Sequence, residues 1–239
     1  MWSRMKTAIV FDKSGTILNP CRILFDFEKK EFIYHVSTLN IVKKLKGFLL
    51  NIEDNDRFKI SYSFSSEIPK ISIEDIRNNY DVLKRIENEA LNHCHSEIGT
   101  CKALILDEKG NIRYAVGLGG RIYDDAKYAI DKLRKISDIF IATGNCKKAT
   151  LKCAKILGIK EKFVIYNATP KEKMEFVKLL KLFYGCVIMV GNDINDIMAL
   201  REANISIFIN RDRSNINFDT DYVINSLYEL PRILLEIIS

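Results

Sequence analysis

The chain has 239 residues, 47% of them hydrophobic and 28% charged, which is enough to bury one large α/β domain or a core carrying a smaller insert. Its net charge of +6 is spread without a basic block or basic–aromatic interleaving, so no nucleic-acid partner is expected and an anionic small-molecule substrate suits the excess. No apolar run approaches the roughly 18 to 20 residues of a membrane helix, and the start lacks a cleavable signal, so a cytoplasmic protein without a membrane partner is expected.

In chain order, the apolar run Thr7 to Phe11 predicts a first strand ending at Asp12. Residues 20–101 carry too much patterning for a loop. Residues 23–27 and 32–36 predict a hairpin joined by Glu28-Lys29-Lys30, 39–50 a helix, 58–64 a strand, and 73–91 a helix with Ile76, Tyr80, Leu83, Ile86 and Ala90 on one face. Lys29, Lys30, Lys43 and Lys44 read as a solvated face. Residues 104–106 and 112–116, joined through Gly110-Asn111, predict a hairpin that returns the chain to the core. Gly117-Leu118-Gly119-Gly120 predicts a turn into the next helix, since no Gly-Lys-Ser/Thr follows to make it a phosphate loop. That helix buries Ala126, Ile130 and Leu133, and its acidic start, Asp124-Asp125, suits a helix first turn without a catalytic role.

From there the chain alternates regularly: strand 139–142, helix 147–157 stopped by Gly158, strand 163–166, a helix with Met174, Val177 and Leu180, then strands 186–190 and 205–209. Thr169-Pro170-Lys171-Glu172 is a capping box with proline at the first helical position. The pattern predicts a doubly wound, mostly parallel, Rossmann-like α/β sheet built from 1–19 and 102–239, with an inserted α+β cap over 20–101.

In such sheets ligands gather beyond the carboxyl ends of the strands. Polar clusters fall at four of those ends: Asp12-Lys13-Ser14-Gly15-Thr16, Thr143-Gly144-Asn145, Lys173 in a helix first turn, and Gly191-Asn192-Asp193-Ile194-Asn195-Asp196. A lysine in a first turn opposes the helix dipole, which points to a local anion. Lys171 competes with Lys173 for that role.

The first cluster resembles the DxDGT motif of the haloacid dehalogenase superfamily, and more closely the DKTGT motif of P-type ATPases. The likeness continues through TGN, Pro-x-x-Lys and a GDGxND-like GNDIND, over residues 1–18 and about 102–210; soluble archaeal relatives of P-type ATPases are the nearest group. It favours Lys173 over Lys171. It implies a haloacid-dehalogenase-like fold and a Mg²⁺ cofactor, with Asp12 as nucleophile and metal ligand and Ser14 giving its backbone carbonyl to the metal. It further implies phosphate binding by Thr16, Thr143, Gly144, Asn145 and Lys173, and a supporting place for Asp196 beside Lys173 or a metal-bound water. Two departures matter. Ser14 stands where phosphatases carry the acid–base Asp, and Asn192 stands where the metal-binding Asp is usual, with Asp193 beside it, so either supplies the ligand. The expected function is a Mg²⁺-dependent phosphohydrolase acting through an aspartyl phosphate on a small phosphomonoester, a nucleotide among the candidates. The alternatives are a soluble domain autophosphorylated from ATP and a degenerate binding or regulatory module.

Six cysteines without a C-x-x-C pair suit reduced thiols, and Cys146 and Cys153 read as packing residues on one helix face. His93, Cys94, His95 and Cys101 have no standard zinc spacing. Arg121 is a minor candidate, because the corresponding stretch of P-type ATPases borders their site.

Overall fold

The structure is a computed structural model that describes residues 6–53, 57–66, 68–213 and 218–238. In chain order its elements begin with β1 (Thr7–Phe11), β2 (Leu18–Asp26), β3 (Glu31–Tyr34), α1 (Thr38–Lys44), β4 (Phe48–Ile52) and β5 (Phe58–Ser63). Next come α2 (Ile73–Arg77), α3 (Tyr80–His93), β6 (Cys101–Leu106), β7 (Ile112–Ile122), α4 (Asp124–Leu133), β8 (Asp138–Ala142) and α5 (Lys147–Ile156). The last are β9 (Val164–Ile165), α6 (Pro170–Leu180), β10 (Cys186–Gly191), α7 (Ile197–Glu202), β11 (Ile205–Ile209), β12 (Tyr222–Ile224) and α8 (Leu230–Ile238). They divide into two units, one built from the chain up to Asn19, Ile122–Thr143 and Cys153 onward, the other from Pro20–Arg121 and Gly144–Lys152.

The first unit holds a parallel sheet in the order β12-β11-β10-β1-β8-β9. Every residue of β1 is buried, as expected of a central strand whose two faces are covered, and this is why it reads as an unbroken apolar run. Val10, Phe140, Met189 and Phe208 pack on Val177 and Leu180 of α6 and Ala199 and Leu200 of α7. The alternate residues Ile9, Ile141 and Ile188 are equally buried. The expected doubly wound α/β architecture is therefore present, and it brings the ends of β8, β1 and β10 side by side.

The second unit holds a sheet in the order β3-β2-β7-β6-β4-β5, with antiparallel pairing of β2–β3, β4–β5, β4–β6 and β6–β7. Alternation sorts its two faces. Phe48, Leu50, Ile52, Leu104 and Leu106 pack with Ile76, Leu83, Ile86 and Ala90 of α2 and α3. Leu24, Ala103, Ile105 and Val116 pack with Val42 of α1.

Several expectations are corrected in this unit. Residues 39–50 are not one helix: α1 ends with Leu45 as its C-cap, Lys46 turns left-handed at φ +48°, and Phe48 to Leu50 enter β4, which pairs on both sides. The helix expected over 73–91 is broken into α2 and α3 at Asn78-Asn79, where Asn79 leaves helical geometry at φ −108°. The hairpin of β6 and β7 does not return the chain to the parallel sheet; it forms the middle of the antiparallel one. Nor is Gly117-Leu118-Gly119-Gly120 a turn, since it lies within β7. The cysteines also depart from the reduced-thiol expectation: Cys21 is bonded to Cys94 and Cys101 to Cys146, each with Cα atoms 5.6 Å apart. Cys146 is thus a cross-link residue rather than a packing residue, whereas Cys153 is buried and takes part in no disulfide. With Cys94 and Cys101 so engaged, the His93 to Cys101 cluster is no metal site, and no group of three His, Cys, Asp or Glu able to hold a metal occurs among the described residues. Among them, too, no helix is long and apolar enough to cross a membrane.

The glycines of β7 have a packing reason. A Cβ on Gly117 would stand 2.5 Å from the Ile86 carbonyl oxygen and 2.8 Å from the Ala90 Cβ, so α3 lies against the sheet at a distance only glycine permits. Gly117→Ala is expected to destabilise this unit by about 1–3 kcal/mol through overpacking, seen as a lower urea midpoint; an unchanged midpoint would mean that α3 shifts freely.

Candidate active site

The end of β1 sets the site. The Asp12 amide continues the ladder by donating to the Val190 carbonyl at 2.9 Å, and the chain then folds back through Ile17 and Leu18 amides donating to the Lys13 carbonyl at 3.0 and 2.8 Å. Gly15 sits in this turn at φ +91°, and a Cβ there would lie 2.1 Å from Asn192 Nδ2, so both conformation and space demand glycine. Asp12 is 3% exposed, and Lys13 and Thr16 are wholly buried.

Lys173 is carried into this region by α6, whose start is fixed by the Thr169 and Glu172 capping box and Pro170. Lys173 is 1% exposed, while Lys171 is exposed. The Lys173 Nζ donates to Asp12 Oδ1 at 2.5 Å and to Asp196 Oδ1 at 2.7 Å. Asp196 is itself fully buried, and its Oδ2 accepts from the amides of Asn192 at 3.0 Å and Asp193 at 3.3 Å. One carboxylate therefore holds both the lysine and the loop after β10.

The remaining expected residues divide. Asn192 and Thr16 meet, with the Thr16 hydroxyl donating to Asn192 Oδ1 at 3.2 Å. Asp193 turns to its own loop, accepting from the Ile194 amide at 2.6 Å. Ser14 is partly exposed and forms an isolated bridge with Leu18. Thr143 is 1% exposed, held at the end of β8 by its amide donating to the Ile165 carbonyl and its carbonyl accepting from the Ala168 amide. Gly144 and Asn145 group with the antiparallel unit; there the Gly144 carbonyl accepts from Asn51 Nδ2 at 2.6 Å, and both residues line a cavity of about 90 Å³ with Ser61, Tyr62 and Lys102.

Electrostatics follow from two buried carboxylates sharing one lysine. Burial and the neighbouring Asp196 push Asp12 up from 3.8 to about 6, against the opposing pull of Lys173. Lys173 loses by burial but gains more from Asp12 and Asp196, so it holds its proton more firmly than an ordinary lysine. Burial pulls Lys13 down to about 8, with Cys153 and Asp12 opposing. Because Asp12 binds its proton more tightly folded than unfolded, the stability it contributes is complete below about 3.8 and lost as pH rises through about 6. A buried carboxylate at a strand end is a group a divalent cation can take. The Asp12 carboxylate, the Ser14 backbone carbonyl and the Asn192 amide oxygen are hard oxygen donors, of the type Mg²⁺ takes while retaining waters.

The sequence reading missed Arg211, which no motif marks, and treated Asp125 only as a helix-start acid. Arg211 donates to the Gly15 carbonyl at 3.1 Å and the Thr16 carbonyl at 2.6 Å, and makes a two-point pair with Asp125 at 2.8 and 3.0 Å.

Comparison with known proteins agrees with this architecture. A family profile for haloacid dehalogenase-like hydrolases matches residues 6–204. A soluble P-type ATPase-like phosphatase of Methanocaldococcus jannaschii is 28% identical over 228 residues, which cover 85% of this chain and 82% of that protein. A copper-exporting P-type ATPase of Staphylococcus epidermidis is 29% identical over 220 residues; these are 84% of this chain but 27% of the transporter, so the likeness spans about a quarter of its length. The catalytic domain of the CPx-ATPase CopB-B has a similar fold, with a TM-score of 0.52 and 18% identity over 97% of this chain and 88% of that one.

Replacing Lys173 by Met should expose the charge imbalance. Two buried carboxylates would lose their common cation, a loss worth about 3–5 kcal/mol near neutral pH. The penalty should shrink at about pH 5, where Asp12 of the variant takes up its proton more readily than Asp12 of the parent. Urea unfolding of the metal-free proteins at both pH values checks this, and an equal penalty at the two would refute the charge argument.

Proposed function

The chain belongs to the haloacid dehalogenase-like hydrolases, and from that premise we propose that it is a magnesium-dependent phosphohydrolase working through an aspartyl phosphate on Asp12. The observation that carries this reading is the buried Asp12–Lys173–Asp196 arrangement at the end of the central strand, with contacts of 2.5 and 2.7 Å. A carboxylate oxygen of Asp12 attacks phosphorus, the ester P–O bond breaks, and the leaving alkoxide takes a proton from solvent. Water then cleaves the aspartyl phosphate, releasing inorganic phosphate and restoring Asp12.

Lys173 holds positive charge beside the attacking oxygen without drifting, because Asp196 fixes its other side. Thr143, at the end of the adjacent strand, suits the phosphoryl oxygens. Asp12, the Ser14 carbonyl and Asn192 would hold Mg²⁺, with Asp193 kept to its loop; when bound, the ion offsets the repulsion between the carboxylate and the phosphoryl group. Ser14 lacks a carboxylate for acid–base assistance, so breakdown of the phosphoenzyme is the slow step. The substrate is a small phosphorylated compound. ATP as the phosphoryl donor is the second reading, favoured by the Asp12-Lys13-Ser14-Gly15-Thr16 run and by the similarity to P-type ATPases. A binding module without turnover is disfavoured by a lysine held between two buried carboxylates, an arrangement with a cost that binding alone does not require.

Asp12→Asn should lower phosphate release from an aryl phosphate at least about a thousandfold while leaving the fold intact. Acid-quenched protein should carry label in the parent and none in the variant, with labelled ATP tested as donor in parallel. A variant within about tenfold of the parent would end the nucleophile assignment.

A further inference from the structure

Between β11 and β12, at a position with no sequence signal, stands a guanidinium aimed at the back of the nucleophile turn. We propose that Arg211 is a positioning residue for phosphoryl transfer: held by Asp125, it clamps the turn that carries Asp12, Ser14 and Thr16. The proposal rests on the reading of Asp12 as the nucleophile.

The geometry is specific to a forked donor. Arg211 uses Nε toward Gly15, Nη1 toward Asp125, and Nη2 toward both Asp125 and the Thr16 carbonyl. Four of its five N–H groups thus have fixed acceptors, a pattern that a lysine cannot copy from one point. The guanidinium carbon lies 3.7 Å from the centre of the Tyr123 ring, closing the open face. The next carbonyl of the turn, that of Ile17, accepts from the Tyr123 amide at 3.1 Å. Three successive carbonyls, Gly15, Thr16 and Ile17, are therefore held from behind by Arg211 and the residue it stacks on.

Asp125 is in turn immobilised. Its Oδ2 also accepts from the Ser226 hydroxyl at 2.6 Å and the Leu227 amide at 2.9 Å. Burial raises its carboxyl, but the hydrogen bonds from Arg211, Ser226 and Leu227 more than reverse this, so it sits below the ordinary carboxylate range and stays charged. The side chains of Arg211 and Asp125 are 15% and 7% exposed. The clamp matters to the reaction because its front side is the site. Gly15 abuts Asn192, and the Thr16 hydroxyl reaches the Asn192 oxygen at 3.2 Å. A turn released at Gly15 and Thr16 would let Asn192 and Ser14 drift relative to Asp12, and displacements of about 1 Å cost up to about a hundredfold in rate.

The test uses the full-length Arg211→Lys, Arg211→Ala, Asp125→Asn and Asp12→Asn variants beside the parent, with an aryl phosphate and saturating Mg²⁺. Arg211→Lys should keep its melting temperature within a few degrees and its KM within about threefold while kcat falls about ten- to a hundredfold. The Mg²⁺ concentration giving half-maximal rate should rise in the same variant. Arg211→Ala should regain part of its kcat with millimolar ethylguanidinium and not with ethylammonium, a difference that a general loss of stability would not produce. The proposal is overturned if kcat of Arg211→Lys stays within about twofold of the parent, or if the loss in Arg211→Ala follows thermal stability alone and ignores ethylguanidinium. If Asp12→Asn instead retains parental activity, the nucleophile assignment fails and takes the positioning role with it; that outcome is recognised by the Asp12 variant and the former by the Arg211 variants.

Discussion

A single ammonium group shared by two buried carboxylates is the constraint around which the parallel unit is arranged. Ions taken out of water cost several kcal/mol each unless each finds a close partner, and Lys173 answers both Asp12 and Asp196. Meeting that demand fixes three elements at once. β1 must end at Asp12, α6 must begin where its capping box starts it, and the loop after β10 must curl so that Asp196 also accepts two of its own amides.

A second layer of order stands behind the first. Arg211 and Asp125 touch neither Lys173 nor Asp196 in any of their hydrogen bonds, yet they hold the same turn from its opposite side. The turn is thereby caught between the Asp12–Lys173–Asp196 cluster and the Arg211–Asp125 pair.

Much of the parallel unit was legible in the sequence because its chemistry is local. Apolar runs such as 7–11 and 186–190 report strands buried on both faces, and Thr169-Pro170-Lys171-Glu172 states a helix start within four residues. The resemblance carried by the motifs marks Asp12, Lys173 and Asp196, and the structure brings those three side chains together. The antiparallel unit was harder to read. Phe48 to Leu50 follow helical spacing from α1, and only pairing with β5 and β6 decides that they form a strand. The Gly117 run looks like a turn until α3 is laid across it. Cys21 and Cys94 are 73 residues apart, and Cys101 and Cys146 are 45 apart, separations at which no spacing rule operates. Arg211 was invisible for the same reason: its partners are 196, 195 and 86 positions away.

The antiparallel unit is not one stretch of chain. Besides Pro20–Arg121 it takes Gly144–Lys152, and that short second piece brings the carbonyl that accepts from Asn51 and the sulfur bonded to Cys101. A gene fragment covering only the long piece would therefore encode an incomplete module, with Cys101 lacking its partner and Asn51 its acceptor. The unit is less a cassette that recombination can lift out and graft elsewhere than a graft already stitched to its host. Moving this module intact would require the segment after β8 to travel with it.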